Sequence, residues 1–374
     1  MTQILRGITW DHPRGFESLV NSNKMLEESL GVTVRWEARS LLEFGDQHIS
    51  EFYEKNDLMV IDHPHVPDAV HAGAVIAFDE MLSAPKLFQL KRTSVGESHA
   101  SYNYRGKQWA LANDAAAQVS AFRPDKTESA PIFWSDVLSI AKTGTLLWPY
   151  KPVDAFSTFA TLMAQKGMSL NTGGIFVDKK IANEVLGLMI ELAAMVPDFC
   201  SDSNPIDIFE RLSSGDKYST AVCLYGYSNY ARKGFRKNQL KYDDVPSFDG
   251  RATGSQLGGA GIAISSKSIN PELSAQVAFL IASPAIQSTT YVEGGGQPGN
   301  LLAWKNASAN EITCDFFINT LRTLERAWVR PRLLGWPEIQ FAASQIIHKI
   351  LLNRSFSNSD IDELDFCYEK FVRE

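Results

Sequence analysis

The first sixty residues alternate between short apolar runs and longer segments in which apolar side chains recur with helical spacing. The apolar runs lie at residues 5–10, 32–36 and 58–61, and the helical patterns lie at residues 16–30 and 40–55. This order predicts βαβ units, because two parallel strands need a crossover connection that is long enough to hold a helix. The segment therefore predicts a parallel sheet within an α/β fold.

Polar side chains follow the first and the third of these predicted strands. They are Trp10, Asp11 and His12 after the first strand, and Asp62, His63 and His65 after the third. Ligands of open parallel sheets bind beyond the carboxyl ends of the strands, so we expect these residues to face a ligand. A local alternative stays open at both places, because the same residues can cap a turn and satisfy their own backbone.

The size and charge of the chain exclude several classes of protein. Its 374 residues are too many for one small core and predict two domains, which the order of segments allows to be interleaved. Apolar residues make up 44% and charged residues 21%, as in ordinary globular proteins. The net charge of −7 argues against a broad nucleic-acid surface, which needs a surplus of cations. We expect no nucleic-acid partner.

The sequence contains no apolar run of about 20 residues, the length that crosses a bilayer, so no membrane span is predicted. The most apolar helical stretch, residues 181–196, is interrupted by Glu184 and Glu191. The first twelve residues lack a basic segment followed by an apolar one. Two locations stay open: the periplasm if a leader was removed, and the cytoplasm if Met1 is the native start.

Four cysteines lie far apart and show neither a CxxC pair nor the spacing of a zinc site. Four buried free thiols are the favoured interpretation. A disulfide between Cys200 and Cys223 is the alternative, and it would require an oxidising compartment.

Two later segments are rich in small residues, at 114–117 and 254–266. Small side chains suit a strand that passes close to another backbone. A hairpin-like turn at Gly106 precedes the first of them. The other predicted helices lie at residues 134–141, 156–165, 179–195, 205–213, 271–282, 283–294, 316–327 and 338–352, with a strand at 220–224.

Four segments together resemble one known family. They are Gly-Ile-Thr-Trp-Asp-His at 7–12, Asp-Leu-Met-Val-Ile-Asp at 57–62, Gly-Lys-Gln-Trp-Ala-Leu-Ala-Asn-Asp at 106–114, and Leu-Gly-Gly-Ala-Gly-Ile-Ala-Ile-Ser at 257–265 with the helix up to Pro284. Their order and spacing are similar to the extracellular solute-binding protein family 1, the carbohydrate-type receptors of ABC importers. The resemblance covers nearly the whole chain.

The resemblance implies a two-lobe periplasmic-binding-protein-like fold of type II, in which one small solute is held in the cleft between the lobes by hinge closure. It implies residues 1–113 plus 257–310 for lobe one and 114–256 plus 311–374 for lobe two, with crossovers near Asp114, Gly258 and Trp304. It also implies a monomeric, non-enzymatic receptor of a sugar or of a sugar-like or acidic compound. An ABC permease is the expected partner if the chain is exported, and no cofactor is expected.

Further candidate ligand-binding residues follow from the resemblance and from local chemistry. They are Asp114 at the first crossover, Tyr225, Tyr227 and Asn229 in an aromatic run, Gly295 and Gln297 in a glycine-rich turn, and Arg330 and Trp336 near the C-terminus. A guanidinium pair at Arg330 and Arg332 suits a carboxylate or phosphate. Aromatic packing, a simple helix stop and solvated arginines are the respective alternatives.

The clustered histidines and aspartates after strands one and three also suit a metal site or an acid–base centre. Their spacing is not a known metal signature, and no metal is predicted. The sequence contains no GxSxG elbow, no Walker loop and no GxGxxG after a strand. A leaderless cytoplasmic enzyme or sensor that uses this cluster is the alternative to a transport receptor.

Overall fold

The computed structural model describes residues 2–46 and 48–373. The strands are β1 (Gln3–Trp10), β2 (Val32–Arg39), β3 (Leu58–Ile61), β4 (Val75–Ile76), β5 (Asn103–Tyr104), β6 (Lys107–Gln108), β7 (Ala110–Phe122), β8 (Leu146–Leu147), β9 (Thr220–Tyr225), β10 (Lys241–Asp243) and β11 (Leu257–Ser265). The longer helices of the first half are α1 (Glu17–Leu30), α2 (Leu41–Asp46), α3 (Val66–His71), α4 (Ala84–Arg92), α5 (Trp134–Lys142), α6 (Pro152–Gln165) and α7 (Lys179–Ala193). Those of the second half are α8 (Pro205–Ser214), α9 (Pro271–Ile281), α10 (Pro284–Gln287), α11 (Thr290–Glu293), α12 (Leu301–Trp304), α13 (Ala307–Ile312), α14 (Phe316–Glu325), α15 (Trp336–Asn353) and α16 (Asn358–Phe371).

The chain divides into two compact units, each built from two separate stretches of sequence. Unit 1 comprises Met1–Ala116 and Gly258–Ile312, and unit 2 comprises Ala117–Leu257 and Thr313–Glu374. The chain therefore passes from one unit to the other three times. The assignment of these units as the two lobes of one receptor stays a prediction.

In unit 1, β1 lies between β2 and β3 and runs parallel to both, which confirms the predicted parallel arrangement. β11 pairs with β3 in the antiparallel direction, and the short β4 pairs with the far end of β11. The alternation of strand and helix over the first sixty residues thus builds the βαβ units that it predicts.

Both faces of the unit 1 sheet are covered. Successive strand residues point to opposite faces, so Leu58 and Val60 pack in one apolar cluster while Met59 and Ile61 pack in another. All four side chains of β3 are buried. A continuous apolar run is the pattern of a strand that is buried on both faces, and polar side chains are therefore confined to the strand ends.

In unit 2, β9 lies between β7, to which it is antiparallel, and β8, to which it is parallel, and β10 pairs with the far part of β7. Helix α6 is buried over ten consecutive residues, Asp154 to Met163. Pro152 stands in its first turn, where a missing N–H costs nothing. This helix starts four residues earlier than the sequence pattern predicts.

The structure divides two predicted helices and contains several that were not predicted. The predicted helix at residues 283–294 forms two short helices, α10 and α11. Residues 40–55 do not form one helix: α2 ends at Asp46, and two single 3₁₀ turns, Ile49–Glu51 and Tyr53–Lys55, follow. Gly45 weakens the helix, and the extended backbone of His48 starts the next turn with its side chain accepting from the Ser50 N–H. Helix α16 was not predicted from the sequence.

The cysteines are free, and Cys200 and Cys223 are both buried. The alternative disulfide between them is thus not formed in this structure. Burial raises the pKa of the Cys200 thiol to about 12, which keeps it protonated and unreactive. Within the described part of the chain, no helix has the length and apolar character needed to span a membrane.

Candidate functional site

The carboxyl ends of β1 and β2 lie at the same level in unit 1. Trp10 and Arg39 are register partners at the last position of the two strands, and the Asp11 N–H donates to the Arg39 carbonyl at 2.7 Å. The side chains that follow β1, β2 and β3 therefore meet at one edge of the sheet, as the strand order requires.

Trp10 lies inside the core at this edge. Its side chain is 3% exposed, and its ring packs on Phe44 with a centroid distance of 4.9 Å. The predicted ligand contact of Trp10 therefore has no open ring face in this structure. Asp11 is exposed and points to solvent at the strand end.

His12 and Arg14 form the turn that joins β1 to α1. The Nδ1 atom of His12 accepts a hydrogen bond from the Arg14 N–H at 3.1 Å, which supports the local turn role of this histidine. The turn places the Arg14 side chain under the sheet edge, where it is 4% exposed. A buried guanidinium is costly unless it is paired and hydrogen-bonded.

Asp114 is the partner of Arg14. Arg14 Nε donates to Asp114 Oδ2 at 2.7 Å and Arg14 Nη2 donates to Asp114 Oδ1 at 2.5 Å, and the Asp114 side chain is 1% exposed. Burial raises the pKa of the Asp114 carboxyl, although the guanidinium acts in the opposite direction. Since both oxygens accept from Arg14, the structure shows Asp114 as an internal support of the edge. Its predicted ligand contact stays untested.

The three predicted residues after β3 are divided between the core and the surface. His63 is 1% exposed and meets the ring of Tyr102 edge-on, so it belongs to the core. Asp62 accepts a hydrogen bond from the His63 N–H at 2.8 Å and keeps part of its side chain accessible. His65 is half-buried, with its Nε2 atom 3.0 Å from the Gly45 carbonyl.

A small cavity of about 10 Å³ lies beside Asp62 and His65. Its lining consists of Arg39, Phe44, Ile49, Phe52, Ile61, Asp62 and His65. The Arg39 guanidinium lies over the ring of Phe52 at 4.1 Å and donates to the Val60 carbonyl at 3.0 Å. Burial lowers the pKa of Arg39 to about 10, which leaves it a cation at neutral pH.

Arg39 was missed by the sequence analysis, which ended the second strand at Trp36. The signal was available, because Arg39 is the last residue of β2 and Asp62 directly follows β3, so both lie at the same edge of the sheet. The polar residues Glu37 and Arg39 interrupt the apolar pattern in the last part of β2, although β2 pairs with β1 up to Arg39.

The glycine-rich turn supports the unit 1 backbone. Gly295 ends helix α11 with a positive φ of 98° and donates its N–H to the Val292 carbonyl, as a helix stop does. Gln297 is buried, and its Nε2 atom donates to the Ala115 carbonyl at 3.0 Å. Both residues have structural partners, and their predicted ligand contacts stay untested.

The aromatic run of unit 2 is mostly packed. Tyr227 is 5% exposed and lies 6.1 Å from the ring of Phe209, and Asn229 is 2% exposed within the single turn Ser228–Ala231. Tyr225 is different, because it ends β9 with a half-buried side chain whose hydroxyl accepts from Gln256 at 2.7 Å. Of these residues, Tyr225 keeps the most accessible position.

The two predicted residues near the C-terminus are buried as well. Trp336 is fully buried and packs edge-on against Phe156 and Phe176, which gives it a packing role, and its predicted ligand contact stays a prediction. Arg330 is 5% exposed, with a long contact of 3.4 Å to Gln340. A buried arginine is better suited to positioning neighbours than to meeting a solute from solvent.

Across residues 2–46 and 48–373, no group of three or more His, Cys, Asp and Glu side chains is arranged to hold a metal ion. The predicted convergence of histidines does not occur, because His63 turns into the core, His12 bonds within its own turn and His65 bonds to the Gly45 carbonyl in α2. Among the described residues, the cavity lining presents instead one guanidinium, one carboxylate, one imidazole and two aromatic rings.

Solved structures show what this architecture resembles. A maltose-bound MalE3 of T. maritima matches with a TM-score of 0.83 and 17% identity over 98% of each chain. The GacH receptor of Streptomyces glaucescens matches with a TM-score of 0.80 and 14% identity over 100% of this chain and 99% of that one. An ABC transporter solute-binding protein of Agrobacterium radiobacter in complex with ribitol matches with a TM-score of 0.78 and 16% identity over 99% and 98%.

This chain has the fold of the type II solute-binding proteins. The predicted fold class is thereby confirmed, and so is the resemblance on which it rested, at the level of the fold. Neither a protein-family model nor a curated protein matches the amino-acid sequence. Identities of 12–17% leave the ligand to be argued from the residues themselves.

Proposed function

We propose that this protein is a solute-binding receptor that binds a small polar solute, a sugar or a polyol, at the carboxyl edge of the unit 1 sheet. The cavity beside Arg39 and Asp62 carries this proposal. It lies where an α/β sheet binds its ligands, in a fold whose solved structures include proteins in complex with maltose and ribitol.

The chemistry of the cavity suits a hydroxylated solute. Each hydroxyl group donates one hydrogen bond and accepts others, so a site for it needs both kinds of partner. Arg39 supplies donors, Asp62 supplies acceptors, and Phe44 and Phe52 supply apolar contact for the C–H groups of a ring. The cavity has room for about one water molecule, so at this point it suits one hydroxyl group of a solute rather than a whole ring.

Measuring whether the protein binds neutral sugars and polyols tests the proposal directly. Calorimetry with maltose, maltotetraose, ribitol and α-D-tagatose is expected to show micromolar or tighter binding of at least one of them. Asp62→Asn and Arg39→Met are each expected to weaken that binding by about tenfold or more, because a hydrogen bond to a charged group contributes ~1.5–3 kcal/mol.

Matched controls exist on the same strand. Arg35 and Glu37 are exposed on β2, away from the cavity lining. Arg35→Met and Glu37→Gln are expected to bind as the unaltered protein does. Equal losses in the control and cavity variants, or no loss in the cavity variants, would contradict the placement of the site.

The wider receptor role follows from the same proposal. Such a protein delivers its solute to an ABC permease outside the cytoplasmic membrane, acts as a monomer and catalyses no reaction. Hinge closure on the solute, predicted from the resemblance, is tested by small-angle scattering, in which the radius of gyration should fall at saturation. An unchanged radius would count against closure, and turnover of the bound solute would favour the enzyme alternative.

A further inference from the structure

Strand β2 forms an edge of the unit 1 sheet. β1 lies on one side of it, and the strand order of the described residues places no strand on the other. An edge strand turns a row of N–H and C=O groups away from the sheet, and another chain can pair with these groups. β2 is eight residues long, contains no proline and pairs with β1 without a bulge. Two features that commonly protect an edge strand from such pairing are therefore absent from β2.

A side chain of helix α1 occupies the middle of this edge. Asn23 Nδ2 donates to the Val34 carbonyl at 3.0 Å, and Asn23 Oδ1 accepts from the Val34 N–H at 2.9 Å. A residue of an adjacent antiparallel strand exchanges the same two hydrogen bonds with its partner. The amide of Asn23 thus takes the place of a neighbouring strand at Val34.

The contact with Asn23 also identifies the backbone groups of β2 that face outward. Because successive residues of a strand turn their backbone groups to alternate sides, Trp36 and Ala38 direct their N–H and C=O groups to the same side as Val34. The side chains of Arg35 and Glu37 are exposed. The β2 edge therefore combines outward pairing groups with two exposed charges of opposite sign.

The charges of β2 are complementary to those of a second copy of the same strand. If two copies pair antiparallel about a two-fold axis at Trp36, Arg35 of each copy lies directly opposite Glu37 of the other. Opposite charges in such cross-strand positions stabilise the pairing, and like charges destabilise it. An axis at Arg35 or at Glu37 would place like charges opposite each other. The charges therefore select the axis at Trp36.

This register needs the two backbone groups that Asn23 holds. With Trp36 on the axis, Val34 of one copy lies opposite Ala38 of the other, and these two residues exchange both of their backbone hydrogen bonds. Asn23 and a second copy therefore compete for the N–H and the C=O of Val34. The contact with Asn23 has the advantage, because it does not require the association of two molecules.

We propose that Asn23 keeps the protein monomeric by blocking the two-fold antiparallel pairing of β2 with β2 of a second copy. The proposal goes beyond the receptor function and does not depend on solute binding. A contact through one strand is small beside the roughly 1,200–2,000 Å² that specific, stable complexes bury. The dimer that forms when Asn23 is removed is therefore expected to be weak and dependent on protein concentration.

Sedimentation velocity from low to high micromolar concentration tests the proposal. The unaltered protein is expected to have the mass of one chain throughout, and Asn23→Ala is expected to approach twice that mass as the concentration rises. Alanine is the better helix former, so this substitution preserves α1. Asn23→Ser should dimerise as well, because its single polar side-chain atom cannot replace both bonds of the amide.

The matched control lies on the same helix. Asn21 Nδ2 donates to the Thr290 carbonyl at 2.6 Å, so Asn21→Ala also removes a bond between a side-chain amide of α1 and a backbone group, but not one on β2. Asn21→Ala is expected to stay monomeric. Equal association of Asn21→Ala and Asn23→Ala would overturn the proposal, and so would a monomeric Asn23→Ala at every concentration.

Charge exchange within the Asn23→Ala protein tests the register. Adding Arg35→Glu places Glu opposite Glu37 of the second copy, and adding Glu37→Arg places Arg opposite Arg35. Each of these changes alone should abolish the dimer, whereas both together restore opposite charges and should restore it. A dimer that persists in all these proteins would assign the association to another surface and overturn the pairing of β2.

Hydrogen exchange of the Val34 amide provides a second measurement. In dilute Asn23→Ala this amide should exchange faster than in the unaltered protein, because it has lost its acceptor. At high concentration the exchange should slow again, because the Ala38 carbonyl of the second copy accepts from it. An exchange rate that does not change with concentration in Asn23→Ala would contradict the pairing.

Discussion

Breaking the ion pair between Arg14 and Asp114 is the most direct test of how the carboxyl edge of the unit 1 sheet is stabilised. Its side chains are 5% and 1% exposed, and two charge-assisted hydrogen bonds of 2.7 and 2.5 Å join them. Removing one member of such a pair leaves an uncompensated buried charge, which costs about 3–5 kcal/mol. We expect Asp114→Asn to lower the free energy of unfolding by this amount.

Arg14→Met is expected to cost less at pH 5 than at pH 8. Without the guanidinium, the buried Asp114 carboxyl takes up a proton more readily, because burial raises its pKa. The double variant should cost less than the sum of the single variants by about 2 kcal/mol, because it no longer contains an unpaired charge.

Urea unfolding of the unaltered protein, the two single variants and the double variant measures this cycle. The exposed pair of Lys107 and Glu80 is the control, since its side chains are 49% and 53% exposed and its loss should cost no more than about 1 kcal/mol. Single variants at Arg14 and Asp114 that cost as little as this control, or costs that add without coupling, would refute the reasoning.

Three further predictions concern stability. As the pH rises from 5 to 8, the free energy of unfolding should fall by ~2–3 kcal/mol because of Asp154. Its pKa of about 7 in the folded state lies above the ordinary value of 3.8, so the folded state holds a proton that the unfolded state has lost. Urea unfolding of Asp154→Asn should not show this fall. Gly259→Ala should lower the melting temperature by several degrees, since φ is 117° and the new Cβ atom would lie 2.5 Å from the Asp114 carbonyl oxygen. Gly187→Ala, in open space on α7, should raise it slightly, and the reverse order would contradict the account. Trp336→Ala should lower the free energy of unfolding by ~3–5 kcal/mol, as measured by calorimetry or urea unfolding, whereas unchanged stability would contradict the packing role of Trp336.

Much of the unit 1 architecture was predictable because its signals are local. The period of apolar residues in β1, α1 and β3 depends on neighbours within one or two turns, and these elements form where the pattern places them. The same reasoning failed at residues 40–55, where apolar side chains with helical spacing continue past the point at which the helix ends.

The sequence indicated the sheet edge at which we propose the site, but not which residues line the cavity there. Strand ends predicted the edge of the sheet, and the cavity beside Asp62 and His65 opens there. The sequence could not show that Trp10 and His63 turn into the core while Arg39 lines the cavity. These orientations depend on which face of the sheet is packed, and packing is decided by residues distant in the chain.

The sequence by itself determined the order of strands and helices, because hydrogen bonding and apolar periodicity act over a few residues. The tertiary structure decided which polar groups find partners inside the protein. Arg14 meets Asp114 across 100 positions, and Gln256 meets Ser157 across 99. A buried polar group is costly unless it is paired, and these pairs join residues that only the fold brings together.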